Sequence, residues 1–258
     1  MIKFTIITCT FNAEHTLQRT VDSVLRQTYP EVEHIIQDGL SRDKTLDIAT
    51  EYKQISDEES SAHDVRVFSE RDHGLYDAMN RAMARATGAY LVFLNAGDVF
   101  PGSDTLELVA ASIDKEAPLP GVLYGDTDIV DDEGQFVRHR RLSPPDHLTW
   151  RSFRHGMLVC HQAFYAATDI AQRTPYDLTY RYSADVDWCI RVMKRCQEEK
   201  RTLLNVNLVV CNYLQDGMTT ANHRASLKER FTVMRRHYGL FTAVLMHLWF
   251  AIRAVIRK

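Results

Sequence analysis

The chain has 258 residues, 45% apolar and 25% charged, with 31 basic and 34 acidic side chains. That composition suits a globular fold with ample core, as one large domain or two small ones. It excludes a disordered chain, a collagen-like repeat and a disulfide-stapled mini-protein. Cys9, Cys160, Cys189, Cys196 and Cys211 are scattered and never spaced CxxC. They read as reduced thiols of a cytosolic protein rather than a zinc site or a disulfide framework. No basic segment leading into an apolar run opens the chain, so a cleaved signal peptide is not expected. The net charge of −3 conceals an asymmetry. Eight of the 31 basic residues and one of the 34 acids, Glu229, fall between Asn222 and Lys258, leaving 23 basic against 33 acidic groups elsewhere. A basic tail on an acidic body predicts contact with an anionic surface or with the body itself.

Phe4-Thr5-Ile6-Ile7-Thr8 is short, apolar and β-branched and predicts a buried strand. Asn12 stands where it can cap the next helix, which carries Leu17, Val21, Val24 and Leu25 on one face. Val32 to Gln37 predicts a second strand, ended by Asp38-Gly39. A helix then starts near the caps Ser41 and Asp43 and carries Leu46, Ala49 and Tyr52, and the polar run Lys53 to Asp64 reads as a surface loop. Val65 to Ser69 predicts the third strand. The helix after it turns Ala78, Met79, Ala82, Met83 and Ala86 inward and stops at Thr87-Gly88, where glycine suits the left-handed position past a helix end. Tyr90 to Leu94 is wholly apolar and predicts a central strand covered on both faces. Strands alternating with helices give an α/β fold, a mostly parallel sheet flanked by helices.

Beyond residue 120 the pattern changes. Val122 to Val130 and Gln135 to Arg140 flank Asp131-Asp132-Glu133-Gly134 as a hairpin or long β-excursion. Ser143-Pro144-Pro145-Asp146 is a loop, Leu158 to Tyr165 reads as extended, and Ala184 to Cys196 as helical. Leu203 to Tyr213 is extended again and Arg224 to Tyr238 helical. The expected division is a lobe at 1–120, a second at 121–221 and a tail at 222–258. In the tail, Phe241, Val244, Leu245, Leu248, Trp249, Ile252, Val255 and Ile256 form one helical stripe opposite Thr242, Arg253 and Arg257. His247 and Arg253 interrupt it too much for a spanning helix. The stripe suits an amphipathic helix lying in a membrane interface, and equally one packed on the body or in a homodimer.

In α/β folds ligands sit at the carboxyl ends of the strands. No two of the eleven glycines are spaced GxG, which removes the dinucleotide fingerprint. The GxxxxG from Gly97 to Gly102 is followed by Ser103 and lacks the P-loop lysine, and no GxSxG elbow occurs. Acids stand at the strand ends instead: Asp38, Asp72 and Asp98. A carboxylate there can hydrogen-bond a base or ribose, hold a hard cation through oxygen, or merely cap the next turn.

Thr5-Ile6-Ile7-Thr8-Cys9-Thr10-Phe11-Asn12 and Gln37-Asp38-Gly39-Leu40-Ser41-Arg42-Asp43-Lys44-Thr45 resemble the opening of the GT-A glycosyltransferases of inverting family 2. Ser69 to Asn80 and Phe93 to Asp98 continue the same order, so the resemblance runs over roughly residues 2 to 220. It is close to the branch of the colanic-acid-type exopolysaccharide transferases. The resemblance implies the GT-A fold and a nucleotide-diphospho-sugar donor, a UDP-sugar first. Thr8 and Phe11 would border the base, Asp38 would hydrogen-bond it, Asp72 and Asn95 would lie near the donor, and Asn80 would belong to the helix closing the pocket. Asp98 would bind Mg2+ or Mn2+ bridging the diphosphate. Where many relatives carry two or three acids, Asn95-Ala96-Gly97-Asp98 leaves one, which puts tight metal binding without donor in doubt.

In Tyr182-Ser183-Ala184-Asp185-Val186-Asp187-Trp188, Asp185 matches the family's catalytic base, and Asp187 would support the loop. Without the resemblance Asp185 is simply an acid favoured by a helix N-terminus. His161-Gln162 matches a pair on the acceptor side, Tyr124-Gly125-Asp126 recurs in the branch, and Gly217-Met218-Thr219 stands where relatives have a flexible segment over the donor. The implied acceptor is a saccharide or a polyprenyl-diphosphate-linked glycan. The implied location is the cytoplasm, peripheral on the inner face of the cell membrane, and nucleic acid is not an implied partner. Two other readings stay open: a sugar nucleotidyltransferase, and a donor-binding subunit that has lost catalysis.

Overall fold

The computed structural model describes residues 1–58, 63–114, 116–215 and 223–256. Its strands are β1 (Phe4–Thr10), β2 (Val32–Asp38), β3 (Asp64–Ser69), β4 (Tyr90–Phe93), β5 (Val122–Val130), β6 (Phe136–His139), β7 (Phe164–Ala167) and β8 (Leu203–Leu214). The helices are α1 (Leu17–Leu25), α2 (Thr45–Glu58), α3 (Leu75–Arg85), α4 (Thr105–Ala111), α5 (Thr168–Gln172), α6 (Ala184–Glu198), α7 (His223–Tyr238) and α8 (Leu240–Ile256). The sheet order is β3-β2-β1-β4-β7-β5-β6, with β8 on the other side of β5. β1 runs parallel to β2 and β4, β2 to β3, and β5 to β8, while β7 is antiparallel to both its neighbours. This is the expected α/β architecture, a mostly parallel sheet flanked by helices. It is continuous across residue 120, because β7 inserts between β4 and β5.

The apolar runs of β1 and β4 are buried along their whole length because each strand is paired on both sides. α1 turns Leu17, Val21 and Val24 inward, and α3 turns Ala78, Met79, Ala82 and Met83 inward. One polar chain crosses this interior. The Tyr52 hydroxyl meets His34 Nδ1 at 3.0 Å, His34 Nε2 meets the Thr8 hydroxyl at 2.9 Å, and that hydroxyl donates to the Leu94 carbonyl at 2.8 Å. Since Thr8 donates onward, it accepts from His34 Nε2–H, and Nδ1 accepts from Tyr52. Burial, aided by the charge of His63, pushes the His34 ring down to about 3, so it is neutral.

Several local expectations differ from the structure. α1 begins at Leu17 behind Thr16 rather than at Asn12, which adopts φ +51 and accepts the Arg42 N–H through Oδ1. Asp43 does serve the start of α2, bonding the Thr45 N–H and hydroxyl, but α2 runs on to Glu58 through the expected loop. Gly88 is not in a left-handed conformation. A Cβ there would lie 2.7 Å from the Lys3 carbonyl and 2.8 Å from the Thr5 nitrogen, so glycine permits close backbone approach. Leu158 to Tyr165 is not one extended segment: it holds the 3-10 turn His161–Ala163 and only the start of β7. A second 3-10 helix, Trp150–His155, and the short α4 and α5 gave no clear periodicity in the sequence.

The tail partly folds onto the body. Tyr238 stacks on Trp150 with ring centroids 5.6 Å apart, and His237 Nε2 lies 2.7 Å from Asp187. After Gly239, α8 turns back on α7 through Ala243 and Met246, which pack with Met234. That contact leaves the stripe from Phe241 to Ile252 outward. Phe241 is 82% exposed, and Leu240, Val244, Leu245, Leu248, Trp249 and Ile252 are exposed with it. No described helix is long and apolar enough to cross a membrane. All five cysteines are buried free thiols.

At the amino ends of β1 and β2, Glu33 is sealed from water and bonds the Thr5 hydroxyl, the Thr87 N–H and hydroxyl, and Arg66. Burial raises its carboxyl, but these four donations outweigh it and hold the pKa below the ordinary value. The stabilisation is therefore complete above the unfolded-state pKa and fades as pH falls through the native one. Glu33→Gln is expected to lose about 1–3 kcal/mol at pH 7. In thermal unfolding the gap to the parent protein should stay constant from pH 7 down to the ordinary glutamate value of 4.5 and narrow below it; a gap independent of pH throughout would contradict this.

Candidate active site

Parallel pairing brings the carboxyl ends of β1 to β4 to one edge. Thr10 pairs with Asp38 and Asp38 with Ser69, so three strands end in register. The Asp38 carboxyl lies wholly buried beneath that edge. It accepts from the Thr10 hydroxyl at 3.1 Å, the Ser69 hydroxyl at 2.7 Å, the Ser41 N–H at 3.1 Å and the Ser41 hydroxyl. These four internal donors take up its acceptor sites and tie the strand ends together.

Beside it three features lie in the open. Phe11 is 65% exposed, and Asp72 is half-buried. Gly39 lies between them: a Cβ on it would stand 2.5 Å from Asp72 Oδ2 and 3.5 Å from the Phe11 ring. An aromatic face and a carboxylate thus flank bare backbone, a surface on which a flat heterocycle can stack and donate hydrogen bonds. Thr8 is elsewhere, buried in the polar chain to His34. Asn80 is also committed: its amide bonds both the carbonyl and the N–H of Tyr176, at 3.0 and 2.7 Å. That clamp seats Tyr176 between Tyr76 and Trp188.

Past β4 the chain turns through Asn95-Ala96-Gly97-Asp98. Asp98 is only 3% exposed, and its carboxyl accepts from Gln162 Nε2 and the Leu214 N–H, each at 3.0 Å. Burial pushes it up to about 6, against the opposing pull of the Leu214 N–H, Gln162, the His161 charge and Asn95. Gln162 therefore holds Asp98 instead of facing outward. Next to it the His161 ring spans two groups: Nε2 lies 3.4 Å from Asn95 Nδ2, and Nδ1 lies 3.6 Å from Asp185 Oδ2. Asp185 opens α6, takes the Val186 N–H at 2.9 Å, and has the Tyr76 hydroxyl 3.5 Å from Oδ1. Burial raises its carboxyl, but the hydrogen bond and charge of His161, the Arg230 charge and the Val186 N–H bring it below the ordinary value. It is an ionised carboxylate at neutral pH.

So Asn95, Asp98, His161, Gln162 and Asp185 are brought together from three distant segments, while Thr8 and Asn80 are not among them. Asp187 is fully buried and bonded to Arg191 at 2.6 Å and His237 at 2.7 Å, which ties α6 to the tail. Several residues with a structural part in the site had no role assigned from the sequence, Tyr76, Ser69 and Glu229 among them. Glu229, the single acid of the tail, accepts the N–H groups of Arg181, Tyr182 and Ser183 at 2.9, 2.6 and 3.0 Å and so fixes the loop before Asp185. Its isolation among basic residues was the available signal.

Among the described residues no group of three or more His, Cys, Asp or Glu side chains could hold a metal ion. A single buried carboxylate, Asp98, fits a cation that draws its remaining ligands from a bound diphosphate and water. Asp126 lines a hollow of about 290 Å³ with Pro144, Asp146 and Asn205. A wider hollow of about 430 Å³ lies over Glu33, Arg66 and Thr87, at the opposite ends of the strands, where polar groups already satisfy one another. Gly217-Met218-Thr219 lies outside the described residues.

Comparison with known proteins agrees with this fold. The model of the family "Glycosyl transferase family 2" matches residues 5–168. A PGL/p-HBAD biosynthesis glycosyltransferase of Mycobacterium tuberculosis is 37% identical over 219 residues, 83% of this chain and 77% of that protein. The putative teichuronic acid biosynthesis glycosyltransferase TuaG of Bacillus subtilis is 40% identical over 93 residues, 36% of this chain and 35% of its own. Among solved structures, S. aureus TarS 1-349 in complex with UDP-GlcNAc superposes with a TM-score of 0.68 at 19% identity, covering 91% of this chain and 65% of that one. Glucosyl-3-phosphoglycerate synthase from Mycobacterium tuberculosis, in complex with Mn2+, UDP and glucosyl-3-phosphoglycerate, gives 0.63 at 16% identity over 91% of this chain and 80% of that one. With the fold and these likenesses in agreement, the chain belongs to glycosyl transferase family 2 and is a glycosyltransferase of the GT-A fold.

Proposed function

We propose that the enzyme transfers a hexosyl group from a nucleotide-diphospho-sugar to a hydroxyl of a bacterial surface glycan, with inversion at the anomeric carbon. The observation that carries this reading is the junction of Asn95, His161 and Asp185, with Gln162 and Asp98 beside it, at the strand edge that also exposes Phe11 and Asp72. The relatives named for PGL/p-HBAD and teichuronic acid biosynthesis support a cell-surface glycan as product. Neighbours solved with UDP-GlcNAc, and with UDP and Mn2+, support a UDP-sugar as donor. A colanic-acid-type exopolysaccharide is the finer reading within that class.

In this reading Phe11 and Asp72 hold the base, in the lobe formed by residues 1–120. The acceptor enters against residues 121–221, near His161. Asp185 removes the proton of the acceptor hydroxyl as its oxygen bonds to the anomeric carbon. The bond from that carbon to the diphosphate breaks on the opposite face, and the nucleoside diphosphate leaves. His161 and Tyr76 orient the carboxylate, and exclusion of water by the bound substrates strengthens it as a base. Asp98 would hold Mg2+ or Mn2+ jointly with the diphosphate, and that cation supplies charge neutralisation to the departing group. Family membership sets the nucleotidyltransferase reading aside, and turnover distinguishes an active enzyme from a non-catalytic donor-binding subunit.

We also propose that the enzyme works in the cytoplasm, attached peripherally to the inner face of the membrane through residues 222–258. The exposed apolar face of α8, with Trp249 in it, supports this over a homodimer, because Arg253 and the exposed Arg151 and Arg154 of the adjoining 3-10 helix add positive charge beside it. Each basic residue near an anionic leaflet contributes ~1 kcal/mol, screened by salt.

With Mn2+ and a panel of UDP-, GDP- and dTDP-sugars, the parent enzyme is expected to turn over at least one donor and to stop with EDTA. Asp185→Asn should retain donor binding and lose ~10²–10⁴-fold in kcat; a parent-like rate would remove Asp185 from the mechanism. In co-sedimentation with phosphatidylglycerol vesicles, Phe241→Asp with Leu245→Asp should cut binding at least tenfold at unchanged Tm. Unaltered binding would refute the attachment, and a concentration-dependent dimer lost in the same variant would favour the homodimer.

A further inference from the structure

α7 meets the start of α6 along one flank. The Ser226 carbonyl accepts the Ser183 hydroxyl at 3.3 Å, Glu229 binds the N–H groups of residues 181–183, and Val233 is fully buried. Arg230 stands one helical turn past Ser226 and next to Glu229, so its stem lies on the side of α7 that faces Asp185. Its charge acts on the Asp185 carboxyl, yet no ion pair joins the two. Arg230 Nε is buried and has no hydrogen-bond partner, and among the described residues no carboxylate pairs with the guanidinium. Other half-buried arginines have a carboxylate partner: Arg66 has Glu33, Arg85 has Glu70, and Arg191, although its Nη2 is idle, has Asp187.

A partly dehydrated guanidinium with an idle donor is rare, because native structures pair nearly all buried polar groups. Its planar fork matches the paired oxygens of phosphate groups. The site beside it carries a single carboxylate for a cation where charge must be neutralised, so a fixed cation has a task there. We infer that Arg230 binds the diphosphate of a substrate, taking an anion as the partner that the protein itself does not supply. The inference rests on the glycosyltransferase reading of the site. Two substrates can bring a diphosphate: the sugar donor, and an acceptor carried on a lipid diphosphate.

The test uses the full chain with Mn2+, with Arg230→Met and Arg230→Lys beside the parent. Calorimetric titrations with UDP, GDP and dTDP report the donor source, and titrations with farnesyl diphosphate report the acceptor source. Arg230→Met should weaken one of the two classes at least tenfold, Arg230→Lys should recover part of the loss, and the class affected names the source. Without ligand, Arg230→Met should melt at or above the parent temperature, because an unpaired buried donor has been removed. Parent-like affinity for both classes would overturn the inference, as would a fall in Tm, which marks an arginine that serves the fold. Failure of the parent chain to bind either class would overturn the functional reading itself and this inference with it, an outcome separate from failure of the variant alone.

Discussion

The Asp38 carboxyl sits out of reach of water at the point where β1, β2 and β3 end, and donors from three segments close around it. A buried acceptor of this kind is costly unless every lone pair is used, and that requirement fixes where Thr10, Ser41 and Ser69 must be. The strand ends cannot slide relative to one another without leaving it unpaired. Phe11, Gly39 and Asp72 stand on the platform so created, one or a few residues beyond the strands.

The other half of the site depends on a comparable economy of polar contacts. Gln162 and the Leu214 N–H hold Asp98, while the neighbouring His161 reaches Asn95 and Asp185. β4, the 3-10 turn before β7, and α6 are thereby joined by side chains and not only by the sheet. The tail takes part as well: Glu229 secures the backbone before Asp185, and His237 binds Asp187. Displacement of α7 would loosen the carboxylate assigned as base. Anything that engages α8, which packs on α7, therefore acts one contact layer from the loop that precedes Asp185.

Much of the first half was legible because its determinants are local. Apolar and β-branched runs give β1 and β4, and the spacing of Leu17, Val21 and Val24 or of Ala78, Ala82 and Met83 gives the inward faces of α1 and α3. What escaped was set by distant partners. An acid at a strand end can be recognised in the sequence, but whether its oxygens face a cleft or turn beneath it depends on residues such as Ser69, and Asp38 and Asp72 differ in that respect. Thr8 and Asn80 belong to the motifs but spend their polar atoms on His34 and Tyr176. In α8 the periodicity identified the apolar face correctly, yet only the small contact surface of Ala243 and Met246 decides that this face points away from α7.

The central claim is that the carboxyl ends of β1 to β4, together with His161 and Asp185, form one donor site. Hydrogen–deuterium exchange of the full chain with and without a nucleoside diphosphate and Mn2+ tests it most directly. The account predicts slowed exchange at residues 10–12, 38–41, 70–74 and 95–98 and at the start of α6, with no change around Glu33, Arg66 and Thr87. Protection confined to that opposite end, or absent from the 10–12 and 38–41 segments, would contradict it.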